Sequence, residues 1–146
     1  MATIEIQLVI NRPVEDVFAF VSNSENLPRW RTTALEVKKT SNGPLGLGGT
    51  FRGRFTFLGR QFDGNIVITG YEQNRTYVSK MAEGPFPLET GYTLEPVENG
   101  THVTFVVEGA PGGFFKLAEP LVVSMAKRAY ETDLQNLKEM LEAQAV

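Results

Sequence analysis

Few residues of this 146-residue chain could carry acid–base or metal chemistry, because it has one histidine and no cysteine. The apolar residues that alternate along the strand around that histidine, His102, are Val103, Phe105 and Val107. Neighbouring side chains of a strand point to opposite faces, so His102 is expected on the outer face, beside the Asn99-Gly100 turn. A general base must reach a substrate proton. We therefore predict a solvated histidine rather than a catalytic one.

Metal and nucleotide sites are poorly supported by the residue pattern. Without thiolates, a metal ion would depend on carboxylates and carbonyls, and no loop has calcium-binding spacing. The glycine-rich segment 46–51 lacks the last glycine of the dinucleotide pattern. In the segment 109–116, Phe114 and Phe115 occupy positions that the P-loop spacing needs. We predict no metal and no cofactor, and we interpret both segments as turns.

Aromatic and long apolar side chains indicate a different chemistry, the binding of an apolar molecule. The predicted cavity residues are Trp30, Phe51, Phe55, Phe57, Phe62, Tyr77, Met81, Tyr92, Phe105, Phe114, Leu121, Met125 and Tyr130. The alternative interpretation is an ordinary solid core. Tyr77, Tyr92 and Tyr130 could each orient a carbonyl or hydroxyl group of the ligand through one phenol oxygen. Core tyrosines satisfied by the backbone would explain the same pattern.

The elements that must position these side chains begin with a strand and two short helices. The alternating apolar residues that predict the strand are Ile4, Ile6, Leu8 and Ile10. Pro13 is expected at the first position of a short helix whose apolar residues recur at helical spacing. Residues 22–24 break that helix and can cap a second one, which we expect Pro28 and Trp30 to end.

Residues 33–109 predict six more strands, separated by turn residues such as Asn99-Gly100. The intervals are too short for crossover helices, so the strands should pair as an antiparallel meander. Glycines inside the strands predict bends or bulges, and hence a curved sheet. They are Gly53, Gly64, Gly70 and Gly91.

The last element is predicted to be one long helix from residue 114 to about residue 143, which Pro120 should kink or start. At 100° per residue, one apolar stripe should face the sheet and contains Val123, Ala126, Tyr130, Leu134, Leu137 and Leu141. A second stripe occurs only in the first half and contains Phe114, Ala118, Leu121, Met125 and Ala129. It should pack on the short helices or bind another molecule.

This order of elements, with several local phrases, resembles the START-like (SRPBCC) superfamily, in particular its polyketide cyclase/dehydrase branch of small bacterial proteins. The phrases are Asn11-Arg12-Pro13-Val14-Glu15-Asp16-Val17-Phe18, Asn26-Leu27-Pro28-Arg29-Trp30, Gly100-Thr101-His102-Val103-Thr104, and Asp133-Leu134 followed by Leu137-Lys138. The resemblance implies an α+β helix-grip fold, a curved seven-stranded antiparallel sheet around the C-terminal helix. It also implies a cavity for lipids, polyketides or other hydrophobic molecules, and no universal catalytic residue.

Three functions remain open from the sequence. The preferred one is binding or transport of a hydrophobic small molecule, with the cavity mouth near the short helices and residues 114–125. Glycines 109, 112 and 113 would act as hinges there. The second is a polyketide cyclase or aromatase assisted by a tyrosine or His102. The third is an interaction module that uses Leu121 and Met125 to dock on a protein or to form a homodimer.

Charge and length exclude other classes of partner. The net charge is −3 and no run of Lys or Arg is longer than two, so nucleic acid is not expected to bind. No apolar run approaches the roughly 20 residues that span a bilayer, and residues 1–10 do not resemble a signal peptide. We expect a cytoplasmic protein in which residues 1–146 form a single domain.

Overall fold

The computed structural model describes residues 2–57, 59–83, 87–109 and 119–143. Its elements are β1 (Ala2–Ile10), α1 (Val14–Val21), a 3-10 turn (Ser24–Asn26), α2 (Leu27–Trp30), β2 (Ala34–Lys39), β3 (Thr50–Phe57), β4 (Arg60–Glu72), β5 (Thr76–Met81), β6 (Leu88–Val97), β7 (Gly100–Gly109) and α3 (Glu119–Ala143). The predicted helix-grip α+β fold is confirmed.

The sheet has seven strands in the order β1-β7-β6-β5-β4-β3-β2, and every neighbouring pair is antiparallel. All hairpins therefore join strands adjacent in sequence, as the short intervals predicted. Asn99 adopts a φ of 64° and Asn74 a φ of 61° in two of the turns, a conformation that asparagine tolerates better than most residues. The edge strands β1 and β2 are joined by the segment that contains α1 and α2.

The strand glycines permit close packing on the inner face of the sheet. Gly53 and Gly64 face each other across β3 and β4. A Cβ atom on Gly53 would lie 2.8 Å from the carbonyl oxygen of Glu36, whereas one on Gly64 would overlap the sulfur of Met81. The predicted bulge at Gly70 is confirmed by a register shift between Ile68 and Gly70. A second shift, between residues 34 and 36, involves no glycine and was not predicted.

Pro13 and Pro28 do not occupy the helix positions that were expected, whereas the expected end of the second helix at Trp30 is confirmed. Pro13 is the N-cap of α1 rather than its first residue. Pro28 lies in the first turn of α2, and Trp30 is the last helical residue. The first amide groups of a helix have no intrahelical acceptor, so a proline there costs no hydrogen bond. The cap of the second helical segment is Asn23, whose side chain accepts from the Glu25 amide at 3.1 Å.

The predicted stripe of α3 is confirmed. Five residues of this stripe are buried, and they are Ala126, Tyr130, Leu134, Leu137 and Leu141. Pro120 is the second described residue of α3, a position at which a proline costs no intrahelical hydrogen bond if the helix begins there. On the second stripe, Leu121 is 64% and Met125 is 43% exposed. Phe114, Ala118 and the expected hinge glycines 112 and 113 lie outside the described residues, whereas Gly109 ends β7.

Hydrogen bonds fasten the C-terminal end of α3 to the end of β1. The Lys138 ammonium donates to the carbonyl of Val9 at 2.7 Å, and the Asn11 amide donates to the Glu142 carboxylate at 2.8 Å. Lys138 also donates to Glu142 at 2.7 Å, and that bond lowers the pKa of Glu142. None of the described helices is long and apolar enough to cross a bilayer.

Truncating Leu137, which is 0% exposed, should show how much the packing of α3 contributes to stability. We expect Leu137→Ala to lower the free energy of unfolding by about 2–5 kcal/mol, because it opens a cavity in the core. The matched control, Leu121→Ala, should change it by less than about 0.5 kcal/mol. Urea unfolding followed by circular dichroism measures both. Equal losses in the two variants would contradict the assignment of the buried face.

Candidate functional site

A cavity of about 110 Å³ lies between the inner face of the sheet and the first half of α3. Its walls come from β1, the short helices, β3 to β7 and α3. Most of the lining is apolar. Three lining residues lie next to or near the segments 84–86 and 110–118, and they are Glu83, Leu88 and Gly109. The Glu83 side chain is exposed. A hydrogen bond from the Asn65 amide lowers the pKa of Glu83, which keeps this carboxylate charged at neutral pH.

The thirteen residues predicted to form the cavity fall into four groups. Those that line it are Phe55, Phe57, Phe62, Tyr77, Met81, Tyr92 and Tyr130. Those that are buried in the core without lining it are Trp30, Phe51 and Phe105. Leu121 and Met125 lie on the exposed side of α3, and Phe114 lies outside the described residues. The structure thus brings seven of the thirteen together around one space.

Aromatic packing explains why a buried ring such as Phe105 does not reach the cavity. The Phe105 ring lies 5.1 Å from the Tyr92 ring and 5.3 Å from the Tyr130 ring, measured between centroids. These two tyrosines therefore cover it. Tyr92 also contacts Tyr77 at 6.2 Å and the edge of Trp30 at 6.3 Å. The result is a continuous aromatic wall from β5 to α3, in which the rings meet at tilted angles and Trp30 adds an edge-to-face contact.

An ion pair that the sequence analysis missed lies in the same cavity wall. The Arg31 Nε atom is 3.5 Å from Asp133 Oδ2, and the two side chains are 13% and 1% exposed. Asp133 Oδ1 accepts from both the amide and the hydroxyl of Thr32, each at 3.0 Å. The guanidinium of Arg31 also lies 4.9 Å from the centroid of the Tyr130 ring. The pair therefore ties the segment after α2 to the middle of α3.

One signal in the sequence could have revealed this pair. Asp133 follows Tyr130 by three residues and Ala126 by seven, so it lies on the buried stripe of α3. Carboxylates are almost never buried without a partner. The pattern thus demands a cation or several donors, but nothing in the sequence identifies Arg31 as that partner.

The phenol groups of the cavity differ in their partners. The Tyr77 hydroxyl and the Ser24 hydroxyl share a hydrogen bond of 2.7 Å. The Tyr92 hydroxyl is buried and has no hydrogen-bond partner among the described residues. Burial raises the pKa of Tyr77 to about 12 and also raises that of Tyr92, although the nearby Arg31 guanidinium opposes the second shift. Both phenols therefore keep their protons at neutral pH and can donate hydrogen bonds.

Arg31 is charged in this environment. Burial alone would lower the pKa of its guanidinium, but Tyr130, Tyr92 and Asp133 together raise it above the ordinary value.

His102 lies away from the cavity, half-buried on the outer face of β7 and opposite Val9 and Glu95. Within residues 2–57, 59–83, 87–109 and 119–143, no three histidine, aspartate or glutamate side chains converge as metal ligands.

A sheet that grips a long helix over an apolar cavity defines the helix-grip class of proteins. Residues 1–142 match the protein family described as polyketide cyclase / dehydrase and lipid transport, and the chain belongs to this family. No curated protein is similar enough in sequence to count as a match.

Solved structures with the same fold span the whole chain at low sequence identity. TTHA0849 from Thermus thermophilus is 17% identical with a TM-score of 0.82, and the match covers 99% of this chain and 100% of that one. The di-domain ARO/CYC StfQ from the steffimycin biosynthetic pathway is 15% identical with a TM-score of 0.73, and the match covers 98% of this chain and 51% of that one. The Aha1 dimer from Colwellia psychrerythraea is 21% identical with a TM-score of 0.68, over 100% of each chain. At these identities the likeness concerns the fold.

The two buried phenols should respond differently to loss of their hydroxyl groups. Tyr77→Phe removes the partner of the buried Ser24 hydroxyl and should lower the free energy of unfolding by about 1–3 kcal/mol. Tyr92→Phe removes a hydroxyl without a partner and should be neutral or slightly stabilising. Urea unfolding of both variants tests this. A loss for Tyr92→Phe as large as that for Tyr77→Phe would show that the Tyr92 hydroxyl is already bonded.

Proposed function

We propose that this chain binds a hydrophobic small molecule in the cavity between the sheet and the first half of α3. The observation that carries the proposal is the largely apolar lining of a space that the core side chains leave open. Ligand pockets have this composition, with a few polar groups that fix the ligand's orientation. The family's description as polyketide cyclase / dehydrase and lipid transport supports the same class of ligand.

The cavity volume limits what can enter. About 110 Å³ approaches the ~150 Å³ of an engineered cavity that binds benzene, and falls short of the roughly 300 Å³ at which drug-sized pockets begin. We infer that a ring or a short acyl end of the ligand occupies this space. Met81, with its flexible unbranched side chain, lies in the wall and can adapt to the ligand's shape.

Binding is better supported than a cyclase or aromatase reaction. Acid–base catalysis is most efficient when the pKa of the catalytic group lies near the working pH. The pKa values of Tyr77 and Tyr92 are shifted upward, away from neutrality, and His102 lies outside the cavity lining. These phenols are thus suited to hold a ligand oxygen rather than to move protons.

Docking of a protein or a second copy is less well supported. The described part of the exposed face of α3 presents two large apolar side chains, Leu121 and Met125. Two side chains expose far less surface area than the ~800 Å² that each partner buries in a stable interface. The cavity therefore carries the proposed function.

An apolar fluorescent probe, N-phenyl-1-naphthylamine, tests the proposal. The wild-type protein should enhance its emission saturably. Gly64→Ala should weaken binding about fivefold. The new methyl group would overlap the Met81 sulfur and force this side chain of the cavity wall to shift, so the ligand would lose apolar contact equivalent to about one methylene group.

The matched control is Gly46→Ala. A Cβ atom at Gly46 meets no other atom within 4 Å, so this variant should bind the probe like the wild-type protein. Absence of saturable binding to the wild-type protein would overturn the proposal. Equal affinities of the Gly64→Ala and Gly46→Ala variants would place the probe elsewhere.

A further inference from the structure

We propose that the ligand carries a carbonyl oxygen and that the Tyr92 hydroxyl donates a hydrogen bond to it inside the cavity. This inference rests on the proposed function and names the polar group that the hydrophobic ligand must bear. Tyr92 lies on β6, in the aromatic wall between Tyr77 and Phe105. The cavity lining also includes Arg31, Tyr130 and Asp133, which lie near enough to Tyr92 to influence its pKa.

The Tyr92 hydroxyl is buried without a hydrogen-bond partner among the described residues. Buried polar groups nearly always have a hydrogen-bond partner, and an exception calls for an explanation such as a missing ligand. In the described part of the chain, four buried side-chain atoms have no such partner, and they are Trp30 Nε1, Arg31 Nε, Tyr92 Oη and Asp133 Oδ2. The side chain of Tyr92 is 3% exposed, so bulk water does not replace the partner.

The other three atoms are accounted for without a ligand oxygen. Arg31 Nε and Asp133 Oδ2 face each other at 3.5 Å as an ion pair. Trp30 does not line the cavity. Of the four atoms, Tyr92 Oη is therefore the uncharged one that belongs to a residue lining the cavity. Among the other polar residues of the lining, Tyr77 is bonded to Ser24, and Arg31 Nη2 donates to Thr33 at 3.3 Å.

The balance of charge around Tyr92 favours a neutral hydrogen-bond acceptor. Arg31 supplies a positive charge, but Asp133 compensates it within the same wall. An ionised ligand carboxylate would lose its hydration here without a net countercharge, which is unfavourable. A ketone or ester carbonyl is neutral and accepts from a phenol without needing a second partner of its own. The raised pKa of Tyr92 keeps the donating proton in place at neutral pH.

The test compares two one-ring probes of the same shape, acetophenone and α-methylstyrene, in which a CH₂ group replaces the carbonyl oxygen. Equilibrium dissociation constants are measured by isothermal titration calorimetry for the wild-type protein and two variants. The wild-type protein should bind the ketone about tenfold more tightly than the olefin, the effect of one hydrogen bond between neutral groups. The carbonyl stretch of the bound ketone should shift to lower frequency.

The Tyr92→Phe variant should lose this preference and the frequency shift while binding the olefin as the wild-type protein does, which shows that the cavity is intact. The control is Tyr71→Phe. Tyr71 packs on Phe18 and Tyr77 but does not line the cavity, so this variant should keep the tenfold preference.

The possible failures separate the inference from the proposed function. If the wild-type protein binds both probes equally, the carbonyl inference is wrong and cavity binding stands. If the preference persists in Tyr92→Phe, the donor is another group and the assignment to Tyr92 is overturned. If neither probe binds, both the inference and the proposed function are wrong.

Discussion

The structure depends on uneven filling of the space between a curved sheet and one helix. In the second half of α3, the stripe that faces the sheet consists of Leu134, Leu137 and Leu141, which are at most 2% exposed. In the first half, the positions that face inward hold Val123, Ala126 and Ala129, and these line the cavity. Large side chains bring the helix and sheet into close contact at one end, whereas small ones leave space at the other. The small residues in the first half of α3 thus contribute to the open space, which the strands and Tyr130 also border.

The polar groups of the site lie beside the first half of α3, where the space between helix and sheet is left open. The Arg31–Asp133 ion pair and the bonds from Thr32 fix the segment after α2 against α3 at the border of the cavity. A pair of this kind contributes little net stability compared with apolar residues of the same size, since both charges lose their hydration. It does place charged and phenolic groups together in a site where water is scarce. The polar region around Tyr92 therefore belongs to the binding site more than to the core.

Much of the fold was predictable because it follows local rules. Alternation in β1, the turn residues between strands and the apolar stripe of α3 predicted the order and pairing of the elements. The bulge at residues 34–36 was not predictable, since it depends on how β2 meets β3 and leaves no glycine as a signal. Pro28 was misplaced within its helix because a proline can either end a helix or occupy its first turn.

The cavity was less predictable than the fold. Phe55 and Phe105 are both inward-facing aromatics, yet only Phe55 lines the cavity, because Tyr92 and Tyr130 cover Phe105. How deeply an inward-facing ring is buried depends on three-dimensional packing, which the alternation of residues along a strand does not reveal. Leu121 and Met125 were assigned to the cavity from a second helical stripe, and the structure places both on the exposed side. The Arg31–Asp133 pair joins residues about a hundred positions apart.

The central claim is that an apolar molecule enters the space beside Met81, and methionine methyl groups report on it directly. The chain has four methionines; Met81 lines the cavity, while Met125 is exposed on the other side of α3. With ¹³C-labelled methionine methyls and bound benzene, we expect nuclear Overhauser contacts between the ring protons and the Met81 methyl, and none to Met125. Contacts to Met125 alone would contradict the account and place the ligand on the outer surface of the helix.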